Sequence, residues 1–304
     1  MNVKIHQPTL FNLRKTVRRD TIRETLRNKN STFRFLYSLI SPLIRDSAYF
    51  TYAYCYMRHI DDLIDDPKTS ASEAVEILNE QVVKIRMGYD QKEFHPNDEY
   101  ELMLGELIHY DIKNGSTLKR ALFDMIDSLY FDAHRVDRVL SRIELEEYSR
   151  SMGESFMKFL SHFLHPETGY SKEVTDIAGA ACQIYMLRDL KEDLERGYFN
   201  IDSESVEKYS IDFTNIDSDG VRNWIEKRVY ELEAKIKLDS ALHKNPISFR
   251  EKLVLLLFLE PRKYVLKKLS RNKFNVIYPY KLGLRDYLEL AATLLYQLVR
   301  PSHA

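Results

Sequence analysis

Apolar residues recur along this chain at the i, i+3, i+4, i+7 spacing of helices with one buried face, and they never alternate with polar residues for more than a few positions. The pattern predicts helices over residues 9–28, 31–41, 44–65, 71–87, 98–112, 117–133, 142–164, 171–196, 219–242, 248–269 and 284–299. Breakers separate them: Asp66-Pro67, the polar HPND run at His95, Asn114-Gly115, the HPETG run at 165–169, and Asn245-Pro246. The acidic stretch from Asn200 to Gly220 is the longest predicted loop, read either as a lid or as a plain surface connection. No solenoid repeat and no sustained heptad occurs. The expected architecture is therefore all-α, an antiparallel helical bundle forming a single domain over residues 1–304.

Composition supports long helices. Only 9 Gly and 9 Pro occur in 304 residues, well under the usual ~7% and ~5%. A formal charge of -1 with 44% hydrophobic residues describes a globular chain with no polyanion partner implied. Cys55 and Cys182 have no CxxC or Cys/His neighbours, so a reduced, cytoplasmic setting is expected. The apolar run from Leu253 to Leu259 is far short of the ~20 residues that span a bilayer. Residues 1–19 lack acids and carry Lys4, Arg14, Lys15, Arg18 and Arg19, which would suit a transit peptide or a membrane-surface helix but, with Asp20 and Glu24 directly following, reads as a first basic helix or a loose arm.

Two segments repeat one arrangement: Arg58 ahead of Asp61 and Asp65 in RHIDDLIDD, and Arg188 ahead of Asp189 and Asp193 in LRDLKED. Aspartates at i, i+4 share one helix face, so two such helices opposed to each other make a cage of carboxylates. Charge runs are usually solvated helix faces. Here, however, Asp61, Asp62, Asp65 and Asp66 crowd residues of poor helix propensity into six positions, with like charges at i, i+4 costing about 0.2–0.5 kcal/mol each. Aromatic and apolar stretches, FTYAYCYM and IAGAACQIYML, precede the two motifs. Carboxylates at the end of such stretches need cations to offset desolvation. Mg²⁺ bridged to a diphosphate meets that need, since it takes oxygen ligands from one or two carboxylates plus phosphate.

On a helical wheel Tyr54, Arg58, Asp61 and Asp65 form one stripe beside Phe50, Ala53, Met57, Ile60 and Ile64. Cys182, Tyr185 or Met186, Asp189, Asp193 and Arg196 form a comparable one. An ionic mouth with oily walls suits a substrate that has a diphosphate head and a hydrocarbon tail. Ionising such a substrate needs cations at the leaving group and an aromatic or apolar enclosure for the carbocation, which the 20 Tyr and 15 Phe could line.

The segment STFRFLYSLISPLIRDSAYFTYAYCYMRHIDDLIDD, residues 31–66, resembles the opening region of the squalene/phytoene synthase family, the head-to-head trans-prenyltransferases. AGAACQIYMLRDLKED, residues 178–193, is similar to that family's second signature. Weaker likenesses are Glu144-Leu145 before Tyr148, Arg196-Gly197, and the tail from Tyr264 to Phe274. Two linked motifs in order, ~125 residues apart, are a specific signal. The resemblance implies an isoprenoid-synthase fold with a central apolar cavity. It implies Mg²⁺ on Asp61, Asp65, Asp189 and Asp193, and diphosphate held by Arg58, Arg188 and Tyr54. It also implies condensation of two prenyl diphosphates through an allylic cation and a cyclopropylcarbinyl diphosphate. NADPH use has no motif of its own here, and association with a membrane surface would suit an oily product.

Three departures accompany the likeness: Tyr185 stands where the family usually has Asn, Cys182 where Gln is common, and Thr32 and Arg34 alter the Ser-Phe-Tyr start. Competing readings on the same fold are a terpene cyclase, an aromatic prenyltransferase, or a silent member acting as an assembly factor. Lesser signals carry bland readings. Arg58 with Asp62, and Arg188 with Glu192, could be helix-surface bridges. His59 reads as structural, and the lone Glu106-x-x-His109 lacks the second copy a di-iron bundle needs. Asp124, Asp127 and Asp132 share another predicted helix, where a carboxylate could line the cavity, but they read first as a solvated face, and Asp132-Ala133-His134-Arg135 as a helix end. No GxSxG, P-loop or Rossmann fingerprint occurs.

Overall fold

A computed structural model describes residues 19–27, 37–92, 95–164, 170–236, 248–276, 280 and 282–299, and all regular structure among them is helical. The elements are α1 (Arg19–Arg27), a 3₁₀ turn (Ser41–Leu43), α2 (Ser47–Ile64), α3 (Ala71–Tyr89), α4 (Glu99–Lys113), α5 (Leu118–Arg135) and α6 (Arg142–Leu164), followed by α7 (Lys172–Arg188), α8 (Leu190–Glu195), α9 (Ser203–Tyr209), α10 (Asp219–Lys235), α11 (Phe249–Arg271) and α12 (Leu284–Val299). The predicted basic segment, residues 1–18 of it, and most of the 31–41 helix, with Thr32 and Arg34, lie outside the described residues.

Local chemistry sets the helix starts. Ser70 and Ser248 form capping boxes with Glu73 and Glu251, while Asp98, Ser171, Asp202 and Ser218 accept from backbone N–H groups of the first turn. Packing then decides the arrangement. α2 lies against α3 and α4, α3 against α5, α5 against α6, α6 against α7, and α7 against α10 and α11, with α12 on the outside of α11. Among the described residues no helix is long and apolar enough to cross a membrane.

The α6–α7 contact is the most extensive in the molecule, and glycine makes it so. A β-carbon on Gly153 would sit 2.3 Å from the backbone nitrogen of Gly179 and 2.6 Å from its α-carbon. Only a bare backbone permits this approach. It presses α7, which leads into the second acidic motif, against α6.

Two expectations are corrected. The 171–196 helix divides at Asp189, whose φ of -97° and ψ of 7° end α7 and begin α8. The 200–220 stretch is not one loop, because Asp202 caps α9, the Ser203 N–H donates to the Leu140 carbonyl (2.9 Å), and Ile201 is fully buried. It is a packed connection beside α6 and α10.

Candidate active site

α2 buries Ala53, Cys55, Tyr56, Met57, Ile60 and Ile64 and turns its polar stripe the other way. Its last turn holds no basic residue, so the aspartates stand at the negative end of a helix dipole without a neutralising cation of that turn. Arg58, one turn earlier, bridges to both Asp61 and Asp62. The Asp62 bridge is thus present, and Asp61 shares the same guanidinium.

The second motif reaches the first through the chain reversal after α8. Gly197, at φ 81°, makes a turn in which an added β-carbon would lie 2.5 Å from Asp137 Oδ1. Tyr198 then points back to α2 and donates its hydroxyl to Asp65 Oδ1 at 3.1 Å, while Arg196 Nη1 lies 3.7 Å from Asp65 Oδ2. Two residues on, Asn200 Nδ2 donates to Asp193 Oδ2 at 2.6 Å.

A buried arginine ties these ends together. Arg135, 6% exposed at the end of α5, donates from Nη1 to Asn200 Oδ1 (2.9 Å) and from Nε to Asp132 Oδ1 (2.6 Å). Its guanidinium stacks 4.9 Å from the Tyr148 ring centroid and 4.7 Å from that of Tyr198. Tyr148 in turn donates to both Asp132 oxygens, at 2.8 and 2.6 Å. Asp132 is therefore not part of a solvated face: it is a half-buried carboxylate held by a cation and a phenol beside both motifs. Sequence periodicity had treated it like Asp124 and Asp127. The one usable signal was the pairing of Asp132 with Arg135 at i+3, which is common on surfaces as well.

Crowding of negative charge perturbs these groups. Burial, then neighbouring Asp189 and Glu192, push the Asp193 carboxyl up to about 7, against the opposing pull of Arg135. Burial and Asp132 raise Asp65, and burial with a contribution from Asp61 raises Asp132. Asp132 thus crowds Asp65 and is itself crowded by Asp61, while Asp193 is crowded by the acids of its own motif. Among the described residues no three acidic, His or Cys side chains close directly on one point as a ready metal cage. The donors present are oxygen only and short of positive charge, which suits a hard divalent cation whose remaining ligands come from water and phosphate.

Arg188 is paired with Asp189 rather than Glu192, its Nε donating to Oδ1 at 2.6 Å and its Nη2 to Oδ2. Its guanidinium also lies 4.2 Å from the Tyr185 ring centroid. Tyr54, a turn before Arg58, has its phenol pushed up by burial. His59 stacks on Tyr100 at 3.8 Å, as a structural histidine does.

Below the stripe the interior is aromatic. Phe50 lies eight residues before Arg58, ~12 Å along the helix axis. It meets Phe159 at 5.7 Å and Phe163 at 5.5 Å, and Phe156 stacks on Phe258 at 4.4 Å. A separate small cleft lies between α6, α7 and α10, lined by Ser149, Gln183, Trp224 and Arg228 and bordered by Asn200.

No curated protein sequence matches the chain. Among solved structures, a dehydrosqualene synthase in complex with ligand is similar with a TM-score of 0.69 at 16% identity, covering 92% of this chain and 96% of its own. A squalene synthase from Alicyclobacillus acidocaldarius is similar with a TM-score of 0.64 at 16% identity, covering 85% and 95%. At that identity the likeness establishes the all-α isoprenoid-synthase fold. The family description squalene/phytoene synthase matches residues 26–282, which include both acidic motifs and the network joining them, and the chain belongs to the squalene/phytoene synthase family.

Proposed function

We propose that this chain is a Mg²⁺-dependent transferase that condenses two prenyl diphosphates head to head. The observation that carries the reading is the convergence of both acidic motifs on the Arg135–Asp132–Tyr148 network, next to an aromatic interior. Asp61, Asp65, Asp189 and Asp193 are the residues proposed to hold Mg²⁺, and the upward push on the Asp65 and Asp193 carboxyls by burial and neighbouring acids fits a site that favours positive charge. When bound, the metal would neutralise the leaving pyrophosphate.

The protein's own groups do the rest. Arg58 and Arg188 are each folded onto an aspartate of their own motif, a pairing each can exchange for a phosphate oxygen with its planar fork. Tyr54 adds a hydroxyl one turn away. On ionisation the C1–O bond breaks and its electron pair leaves with pyrophosphate. The faces of Phe50, Phe159 and Phe163 offer the allylic cation a quadrupole and exclude water. C1 then attacks the double bond of the second substrate, and loss of one proton closes a cyclopropylcarbinyl diphosphate. The Arg135 network keeps the two motifs in register throughout.

The test is incubation with C10, C15 and C20 prenyl diphosphates, with and without Mg²⁺, reading pyrophosphate release and the mass of extracted products. A product of doubled carbon number, formed only with the metal, is the expected result. A cyclic hydrocarbon of unchanged carbon number would assign a cyclase instead, and no pyrophosphate from any substrate would make the chain a silent member.

A further inference from the structure

Arg262, on α11, is a buried cation without a counter-ion among the described residues. It is 7% exposed, and no carboxylate pairs with it among the described residues. Its Nη1 donates to the Phe258 carbonyl one turn back in its own helix, and its Nε is buried with no acceptor. Aromatic rings hold it from two sides: its guanidinium carbon lies 3.4 Å from the Phe258 centroid and 4.1 Å from that of Tyr185. The same Tyr185 ring carries Arg188 at 4.2 Å, so two guanidinium groups share one phenol. A second orphan stands in the same neighbourhood. The Tyr280 hydroxyl is buried without a partner, its ring lies 4.9 Å from Lys268 Nζ, and its nearest charged and phenolic influences are Arg188, Asp286, Tyr264 and Tyr185.

Burying a charge without a counter-ion is strongly unfavourable, and a buried donor without an acceptor adds to the penalty. Two such orphans beside the Arg188 guanidinium, around one phenol ring, make a site suited to an anion. Asp189 already balances Arg188; no carboxylate among the described residues balances Arg262. We infer that Arg262 and the Tyr280 hydroxyl, together with Arg188, bind the diphosphate of one prenyl substrate at Tyr185, so that part of the charge on that diphosphate is met by a fixed protein cation. A pyrophosphate group is long enough to meet both guanidinium groups when each lies about 4 Å from one ring. The inference rests on the reading of this mouth as a diphosphate site, and it concerns binding rather than turnover.

The experiment is calorimetric titration of the full chain with inorganic pyrophosphate in Mg²⁺, paired with thermal unfolding of the ligand-free protein. Arg262→Gln should weaken pyrophosphate binding roughly tenfold or more, as expected for losing a charge-assisted donor pair. Arg262→Lys should fall between, keeping the charge and losing the fork. Ligand-free Arg262→Gln should unfold at an unchanged or higher temperature, because it removes an uncompensated buried charge. Tyr280→Phe, which keeps the ring, should weaken binding about threefold or more. Arg262→Gln that binds pyrophosphate as the parent does, or that loses stability or fails to fold, would assign Arg262 to packing and overturn the inference; so would unchanged binding in Tyr280→Phe. Pyrophosphate binding that depends on Arg262 in a chain that never couples prenyl diphosphates would keep this inference and remove the condensation reaction.

Discussion

Asp193→Asn isolates the electrostatic cost of the acidic mouth. Asparagine keeps an oxygen for the Asn200 amide now donated at 2.6 Å, so the substitution removes charge and little geometry. The Asp193 carboxyl is pushed from 3.8 up to about 7 by burial and by Asp189. An acid whose folded pKa exceeds its unfolded value subtracts stability as pH rises: nothing is lost below about 4, the loss grows between 4 and 7, and it is complete above 7. At 1.36 kcal/mol per unit the full cost is about 4 kcal/mol, and residual hydration brings the working range to about 2–4 kcal/mol. For a chain of this length that corresponds to roughly 3–6 °C in Tm. In EDTA at pH 8, Asp193→Asn should therefore unfold above the parent protein, and the gap should shrink towards pH 5. Adding Mg²⁺ and pyrophosphate should reverse the order, since only the parent has the carboxylate that the cation and its diphosphate favour. The assay is thermal unfolding by circular dichroism across pH 5–8. A gap of the same size at pH 5 and pH 8, or a variant less stable than the parent at pH 8, would refute the reasoning.

Other perturbations test separate links. Asp132→Ala leaves Arg135 buried without its carboxylate and should cost about 3–5 kcal/mol, read as a lower midpoint in urea unfolding. Gly153→Ala drives a methyl into the Gly179 backbone and should destabilise by about 1–3 kcal/mol or more, while Gly115→Ala, with open space around it, should cost only the strain of its φ of 94°. Asp61→Asn and Asp189→Asn should each suppress pyrophosphate release by orders of magnitude with the fold intact by circular dichroism, as expected for groups that position neutralising charge at a leaving group. Tyr198→Phe removes the 3.1 Å contact to Asp65 and should lower the apparent Mg²⁺ affinity in that release assay severalfold while leaving Tm within a degree or two.

What was legible in the sequence is what is local. Helical periodicity located most of the helices among the described residues, because a buried stripe repeats every 3.6 residues whatever it packs on. The four aspartates and two arginines stood out because an acid pair at i, i+4 with an arginine ahead of it is a short-range pattern, and its recurrence after two apolar stretches set both segments apart from ordinary charge runs. The same locality explains the misses. Asp189 breaks the predicted 171–196 helix where its carboxylate pairs with the adjacent Arg188, and α9 forms inside the predicted loop because Leu140, far back in the chain, accepts from Ser203.

Tertiary structure decided the partners. Asp132 and Asp124 look alike in sequence and both are withdrawn from solvent in the fold, yet Asp124, 7% exposed, is bridged by Arg120 and Lys158, while Asp132 is held by Arg135 and Tyr148 beside the acidic motifs. Arg262 has no motif around it, and its isolation from any carboxylate becomes visible only once α11 is packed on α7. The sequence by itself determined which faces are oily and where the charges cluster, since those are properties of spacing. Which charge is neutralised, and which is left without a counter-ion, depends on residues distant in the chain meeting across helix interfaces, and only the folded arrangement fixes that.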